Sequence, residues 1–192
     1  MYWRSEASIL AEAISLSEKI KGEYIKNECL ARIGLCFVQM GELLKAQDLA
    51  QSIIIPFSRA EVLSAVAVAY VKLKEFDAAL RVAGEIDVQC FKEKALIQIV
   101  MGYLRQGRKK EACAIIENSQ DAAARSRIYA AIIKNYLQSK EYGPALATSQ
   151  KIENLEIKTA ALIEIAKELQ KKRVFGGEVR KAFLESLDLL RY

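Results

Sequence analysis

The sequence predicts an all-α chain, an α-solenoid of antiparallel helical hairpins with a period of 33 residues and about eleven helices. Three observations carry that expectation. Apolar residues make up 52% of the 192 positions, which is ample for a core and too much for a disordered chain. Proline occurs twice and glycine nine times, too rarely for a turn-rich β-sandwich. The third observation is self-similarity, which precedes any local assignment. Offset by 33 residues, the chain aligns Ala13, Ala46, Ala79, Ala112 and Ala145 in one column. Ile20, Ile53, Ile86, Ser119 and Ile152 form another, and Leu30, Leu63, Leu96, Tyr129 and Leu162 a third. Ile33, Val66, Ile99, Ile132 and Ile165 follow, then Phe37, Tyr70, Tyr103, Tyr136 and Leu169.

Each element has its own justification. Residues 5–20 match only the second helix of a unit, so they predict a half-repeat. Hairpins are expected over 24–53, 58–86, 91–119 and 124–152. Their first helices place Leu30, Ile33, Gly34 and Phe37, or Leu96, Ile99, Val100 and Tyr103, at i, i+3, i+4 and i+7 on one helical face. Breaks follow at Met40-Gly41, Leu73-Lys74, Gln106-Gly107 and Ser139-Lys140. The second helices then present Leu43, Ala46, Ala50 and Ile53, and in the next unit Phe76, Ala79, Ala83 and Ile86. An alanine column suits a close helix crossing, where bulk would hold the axes apart. Pro56 is expected between hairpins, and Pro144 in an opening turn, where a missing N–H costs little. Residues 155–190 read as a last first-helix, a break at Gly176-Gly177, and an amphipathic C-terminal cap over 178–190. The whole chain, 1–192, is expected to be a single repeat domain.

The run Leu30…Ile33-Gly34…Phe37…Ala46, repeated as Leu63…Val66-Ala67…Tyr70…Ala79, resembles the tetratricopeptide repeat over roughly residues 5–172. It departs from that motif in its period, in having Ala50, Ala83, Ile116 and Ser149 where a further aromatic is usual, and in lacking the closing proline. The resemblance implies a right-handed solenoid and a non-enzymatic scaffold that binds a protein or peptide along the concave groove of its first helices. The groove offsets correspond to Leu35, then Val68 and Lys72, Met101 and Arg105, Lys134, and Lys167 and Lys171. The early units are apolar there and the later ones lysine-rich, a gradient that suits an acidic amphipathic segment. A helix apolar on two faces either exposes a groove or is packed on both sides. The clamp by which some tetratricopeptide domains hold the acidic tail of heat-shock proteins is not visible, because its positions hold Ala31, Leu35, Ser64, Val68, Ile97 and Met101.

A second candidate is a column that is basic in every unit: Lys26, Arg59, Lys92, Arg125 and Lys158. These residues fall in opening turns, where the helix dipole disfavours cations, so something must hold them. Either they pair with a neighbouring helix end, for example toward Glu85 or Glu153, or they form a ridge that meets a ligand.

Composition narrows the function classes. Histidine is absent, which removes Ser-His and Cys-His nucleophile pairs and most zinc and haem sites. No phosphate-binding glycine loop or nucleophile elbow occurs, so no enzyme, metal or cofactor is expected. Cys29, Cys36, Cys90 and Cys113 form no CxxC pair and read as reduced core thiols. The longest apolar run, Val62 to Val71, is too short for a bilayer, and the opening MYWRSEAS lacks a signal-peptide layout, so the expected compartment is the cytoplasm, with no membrane partner. Residues 1–96 carry 12 basic and 13 acidic groups, and residues 97–192 carry 17 and 11. That basic half, with Lys171-Lys172-Arg173, supports the alternative of an RNA-binding helical repeat, against which the apolar groove counts. Tyr2 and Trp3 are expected to cap the half-repeat, whose open end would also permit end-to-end stacking into an oligomer.

Overall fold

The computed structural model describes residues 5–119 and 121–171, and every residue there that belongs to a regular element is helical. Ten helices are described. They are α1 (Glu6–Ser17), α2 (Glu23–Gln39), α3 (Leu43–Gln51), α4 (Pro56–Lys72), α5 (Phe76–Gly84), α6 (Gln89–Arg105), α7 (Lys109–Glu117), α8 (Ala122–Gln138), α9 (Tyr142–Ser149) and α10 (Leu155–Lys171). Tyr2, Trp3, the basic run after Lys171 and the expected cap over 178–190 lie outside the described residues. Contacts divide the chain into two compact units at Lys109–Lys110.

Helices alternate between 17-residue first members and second members of 8 or 9 residues. The reason a first helix stops is local. Gly41, Lys74, Gly107 and Lys140 all take positive φ, between 64° and 78°. The N–H of the following residue then reaches the carbonyl five residues back, from Glu42 to Phe37, Glu75 to Tyr70, Arg108 to Tyr103 and Glu141 to Tyr136, at 2.8–3.0 Å. The left-handed residue itself donates to the carbonyl three back, so orphan carbonyls at the helix end are satisfied. Starts are set more variously. Ser5 caps α1 and Asp121 caps α8 through their side chains, while Asn154 Oδ1 accepts the Ile157 N–H at 3.0 Å ahead of α10. Pro56, expected between hairpins, is instead the first residue of α4, where its fixed φ and missing N–H suit the opening turn.

In the unit formed by residues 1–109, α2 packs on α3 and α4, α4 on α5 and α6, and α1 against α2. In the second unit α8 packs on α9 and α10, and α9 on α10. The repeated columns supply the cores. Ala46, Ala79, Ala112 and Ala145 are buried, as are Ile53, Ile86 and Ile152, the column through Ile33, and the column through Leu30 except for the half-buried Leu96. Two glycines permit close approaches that alanine would forbid. A Cβ on Gly34 would lie 2.9 Å from Val62 Cγ1. A Cβ on Gly102 would lie 2.6 Å from Phe76 Cε1 and 2.9 Å from Val71 Cγ1. Phe76 has little room to yield, because it is buried and stacked on Tyr103 with ring centroids 4.3 Å apart.

Gly102→Ala should therefore reverse the usual sign of a helical glycine substitution. Overpacking predicts a loss of about 1–3 kcal/mol in urea unfolding. Gly84→Ala, with open space around the new methyl, should gain up to about 1 kcal/mol. A Gly102→Ala variant more stable than the parent would contradict this packing.

Candidate functional site

An apolar groove opens between α2 and α4 in the first unit, with a volume of about 550 Å³. Its construction follows from helical spacing. Glu61, Ser64, Ala65, Val68 and Lys72 recur at three- and four-residue intervals and so line one side of α4. Leu35, Val38 and Gln39 face them from α2, and Lys94 reaches one end from α6. Leu35, Val38, Ala65 and Val68 are half-buried, whereas Glu61, Lys72 and Lys94 are exposed. Apolar walls with charges only at the ends can receive an apolar stripe and orient it by charge.

The sequence-derived groove residues divide into three groups. Leu35, Val68 and Lys72 come together on this groove. Met101, expected on the same surface, is only 5% exposed and offers no wall to a ligand. Spacing alone could not distinguish its packed face from an open one. Arg105 is exposed but does not line the groove. In the second unit Lys134 and Lys167 meet across a recess of about 310 Å³ between α8 and α10. Glu164 and Glu168 line the same recess, so the lysine-rich end is of mixed sign. The side chain of Lys171 lies outside what is described.

All five members of the basic column are half-buried. Arg125 Nη1 donates to the Ser119 carbonyl at 2.7 Å, and Nη2 to Glu153 Oε1 at 2.7 Å. Arg59 reaches the Ile53 carbonyl at 3.5 Å and Asp87 Oδ2 at 2.8 Å. Glu85, the other expected partner, instead accepts from Gln47 and Gln51. Each arginine thus ties the loop before its helix to the loop that ends its own hairpin. The carboxylates are exposed, so each pair contributes no more than about 1 kcal/mol, and the arrangement positions the loops more than it stabilises them. Lys26, Lys92 and Lys158 share the position. The difference was legible. An acid stands 28 residues after each arginine, Asp87 after Arg59 and Glu153 after Arg125, whereas Ile54 follows Lys26 and Gln120 follows Lys92.

The next column along carries a second set of ties that sequence reasoning missed. Asn27 is 2% exposed, and its Oδ1 accepts the N–H groups of Ile54 and Ile55 at 2.6 and 3.2 Å. Ser126 is 1% exposed and its Oγ accepts the Asn154 N–H at 3.2 Å. A polar residue directly after four of the five basic ones, Asn27, Glu93, Ser126 and Thr159 but not Ala60, was the available signal.

Two tyrosines of the second unit have raised pKa values. Burial is the main cause for both, with Cys113 and Glu117 adding to it at Tyr129, and Glu141 and Cys113 at Tyr136. Both phenols are therefore neutral at physiological pH and behave as packing groups.

The expectation of core cysteines is corrected. Cys36 and Cys90 are exposed, Cys29 and Cys113 half-buried, and all four are free. Cys36 immediately precedes Phe37, about 100° around the helix from the buried stripe. Titration with Ellman's reagent should label Cys36 and Cys90 in the native protein within minutes, and Cys36→Ser with Cys90→Ser should remove that fast phase. Silence of all four thiols before denaturant is added would contradict the assigned faces. No family model matches the chain, and no curated protein and no solved structure matches it either.

Proposed function

We propose that the chain is a non-enzymatic, cytoplasmic binding scaffold whose helices form tetratricopeptide-like hairpins wound as an α-solenoid, and that it takes a protein or peptide segment in the groove between α2 and α4. The first helices begin at residues 23, 56, 89, 122 and 155, equal intervals of 33 that support a repeat. Within each unit, helices touch only near neighbours in the chain, as a solenoid requires. No described helix is long and apolar enough to cross a membrane.

One observation carries the functional reading: Leu35, Val38, Ala65 and Val68 form apolar walls that remain partly open, with Lys72 exposed at one end. An apolar concavity of this size on a folded chain marks a contact surface rather than chance exposure. The RNA alternative draws less support, because Lys134 and Lys167 share their recess with two glutamates rather than forming an unbroken basic track.

The test compares proteins captured from ribonuclease-treated lysate by the parent chain and by Val68→Glu. A charge placed between apolar walls should abolish capture of the specific partner, a loss of a hundredfold or more in affinity, while circular dichroism stays that of the parent. Lys72→Glu should weaken capture severalfold and alter its salt dependence. A captured set that is unchanged by Val68→Glu, or that vanishes with ribonuclease alone, would contradict the proposal.

A further inference from the structure

The first helices repeat one interface, and the first and last of those described each carry an uncovered half of it. α2 packs on α4, α4 on α6 and α8 on α10. Two faces meet in these pairs: Gly34 on the trailing face of α2 lies against Val62 on the leading face of α4, and Phe57 of α4 meets Phe91 of α6 with ring centroids 4.9 Å apart. The leading face of α2 holds Ile25, Cys29 and Cys36, which helical spacing puts on one side. Ile25 is 57% exposed, Cys36 is exposed and Cys29 is half-buried. One, two and three periods beyond Cys29, however, Val62, Ala95 and Ile128 are fully buried. The trailing face of α10 holds Thr159, Ile163 and Ala166. Thr159 is exposed where Asn27, Ala60, Glu93 and Ser126 are buried, and Ile163 is 49% exposed. Ala166 is half-buried where Ala67, Val100 and Ile133 are fully buried.

A repeat array stays dispersed when its outermost faces are polar, and these faces are not. Ile163 stands in a column whose buried members are Ala31 and Ser64, so the exposed position holds the bulkier apolar side chain. The two helices match in a second way. α1 is a second-type helix with no described first helix before it, and its Ala13 is half-buried where Ala46, Ala79, Ala112 and Ala145 are buried. α10 is a first-type helix, yet one period past Ala145 and Ile152 the sequence places Glu178 and Glu185. Those columns are buried in every described hairpin that carries Ala and Ile there, and a buried carboxylate is costly, so the sequence after α10 does not continue as an in-phase second helix. Ala13 and Ile20 are the residues that the same two columns require. Charge agrees with the match. Residues 5–18 carry three glutamates and no cation, whereas residues 167–173 carry four cations and one glutamate. In a helical hairpin the start of the second helix lies beside the end of the first, which brings Glu6 toward that cationic end.

We infer that both open faces are covered by further copies of this chain, joined head to tail. α1 of one copy packs on α10 of another as the second helix of a composite hairpin. The leading face of α2 covers the trailing face of that same α10, as α4 covers α2 within the chain. Two different surfaces meet, so the interface is heterologous. Helices of 12 and 17 residues are about 18 and 25 Å long and about 10 Å wide, which gives an interface of about 900–1,000 Å² over both partners. That is the low end for specific association, so the dissociation constant falls in the micromolar range. The assignment rests on the repeat reading proposed above and not on the groove.

The test is sedimentation velocity of the full chain in reducing buffer, from about 1 to about 300 µM. The parent should pass from monomer to larger species across that range. Ile25→Lys spoils the leading face and Ile163→Lys the trailing face. Both side chains are exposed, so circular dichroism and the urea midpoint should stay those of the parent. Each variant alone should remain monomeric throughout. Mixed in equal amounts, the two should form a dimer and nothing larger, because one intact leading face and one intact trailing face remain between them. If either variant folds poorly, Cys36→Lys and Thr159→Lys, also at exposed positions, make the same pair. A parent that stays monomeric would overturn the inference, as would variants that assemble like the parent. A mixture that stays monomeric while the parent assembles would also overturn it, since like faces would then be pairing with like. None of these outcomes touches capture of a partner through Val68, which tests the groove separately.

Discussion

A left-handed residue closes each of four first helices, and the rest of the structure depends on it. Gly41, Lys74, Gly107 and Lys140 all have φ near +64° to +78°, which lets the next N–H turn back onto the carbonyl of Phe37, Tyr70, Tyr103 or Tyr136. The turn has two consequences. It ends the helix without leaving carbonyls unsatisfied, and it starts the second helix within three residues, too soon for the chain to wander. In α2–α3, α4–α5 and α8–α9 the short second helix is then held against the first, with Ala46, Ala79 and Ala145 buried there. Glycine meets this demand at two turns. Lysine meets it at the other two, with the steric cost of a Cβ in that region.

Once the hairpins are fixed, the remaining problem is how successive hairpins are held in step. Apolar contact alone is non-directional, so a slip of one helix along another would lose little. Directional ties prevent the slip. Asn27 and Ser126, buried in opening turns, accept N–H groups from loops 27 or 28 residues on. Arg125 adds a charged tie to the same loop as Ser126, through Glu153, and Arg59 adds one to the loop before α6, through Asp87. In the first unit the result is a fixed spacing of α2 and α4, close at Gly34 where only glycine fits against Val62, and open on the face where Leu35 and Val68 line the groove. The groove is thus a by-product of how the hairpins stack, and its walls need no residues beyond those the period already places there.

The helices, their turns and most of the core were legible in the sequence, because they depend on properties that recur: an aromatic, a small residue and an alanine at constant spacing. What was not legible depends on which side of a helix faces a neighbour. Met101 and Val68 occupy corresponding positions and are both apolar, yet one is buried and the other lines the groove. Cys36 was assigned to the core by its residue type, although its place beside Phe37 turns it outward. Pro56, expected between hairpins, opens α4, because the first position of a helix tolerates proline. The ties through Asn27 and Ser126 depend on burial against loops 27 or 28 residues away, which local spacing does not reveal.

The claim that left-handed turn residues organise the chain is tested most directly by urea unfolding of Lys74→Gly and Lys140→Gly beside Lys45→Gly. Lys45 lies within α3, where glycine costs up to about 1 kcal/mol. At Lys74 and Lys140 the positive φ reverses the balance, and each glycine should raise stability by about 0.5–1 kcal/mol. Loss of stability at Lys74 and Lys140 comparable to that at Lys45 would show that these turns are not left-handed and would contradict the account at its base.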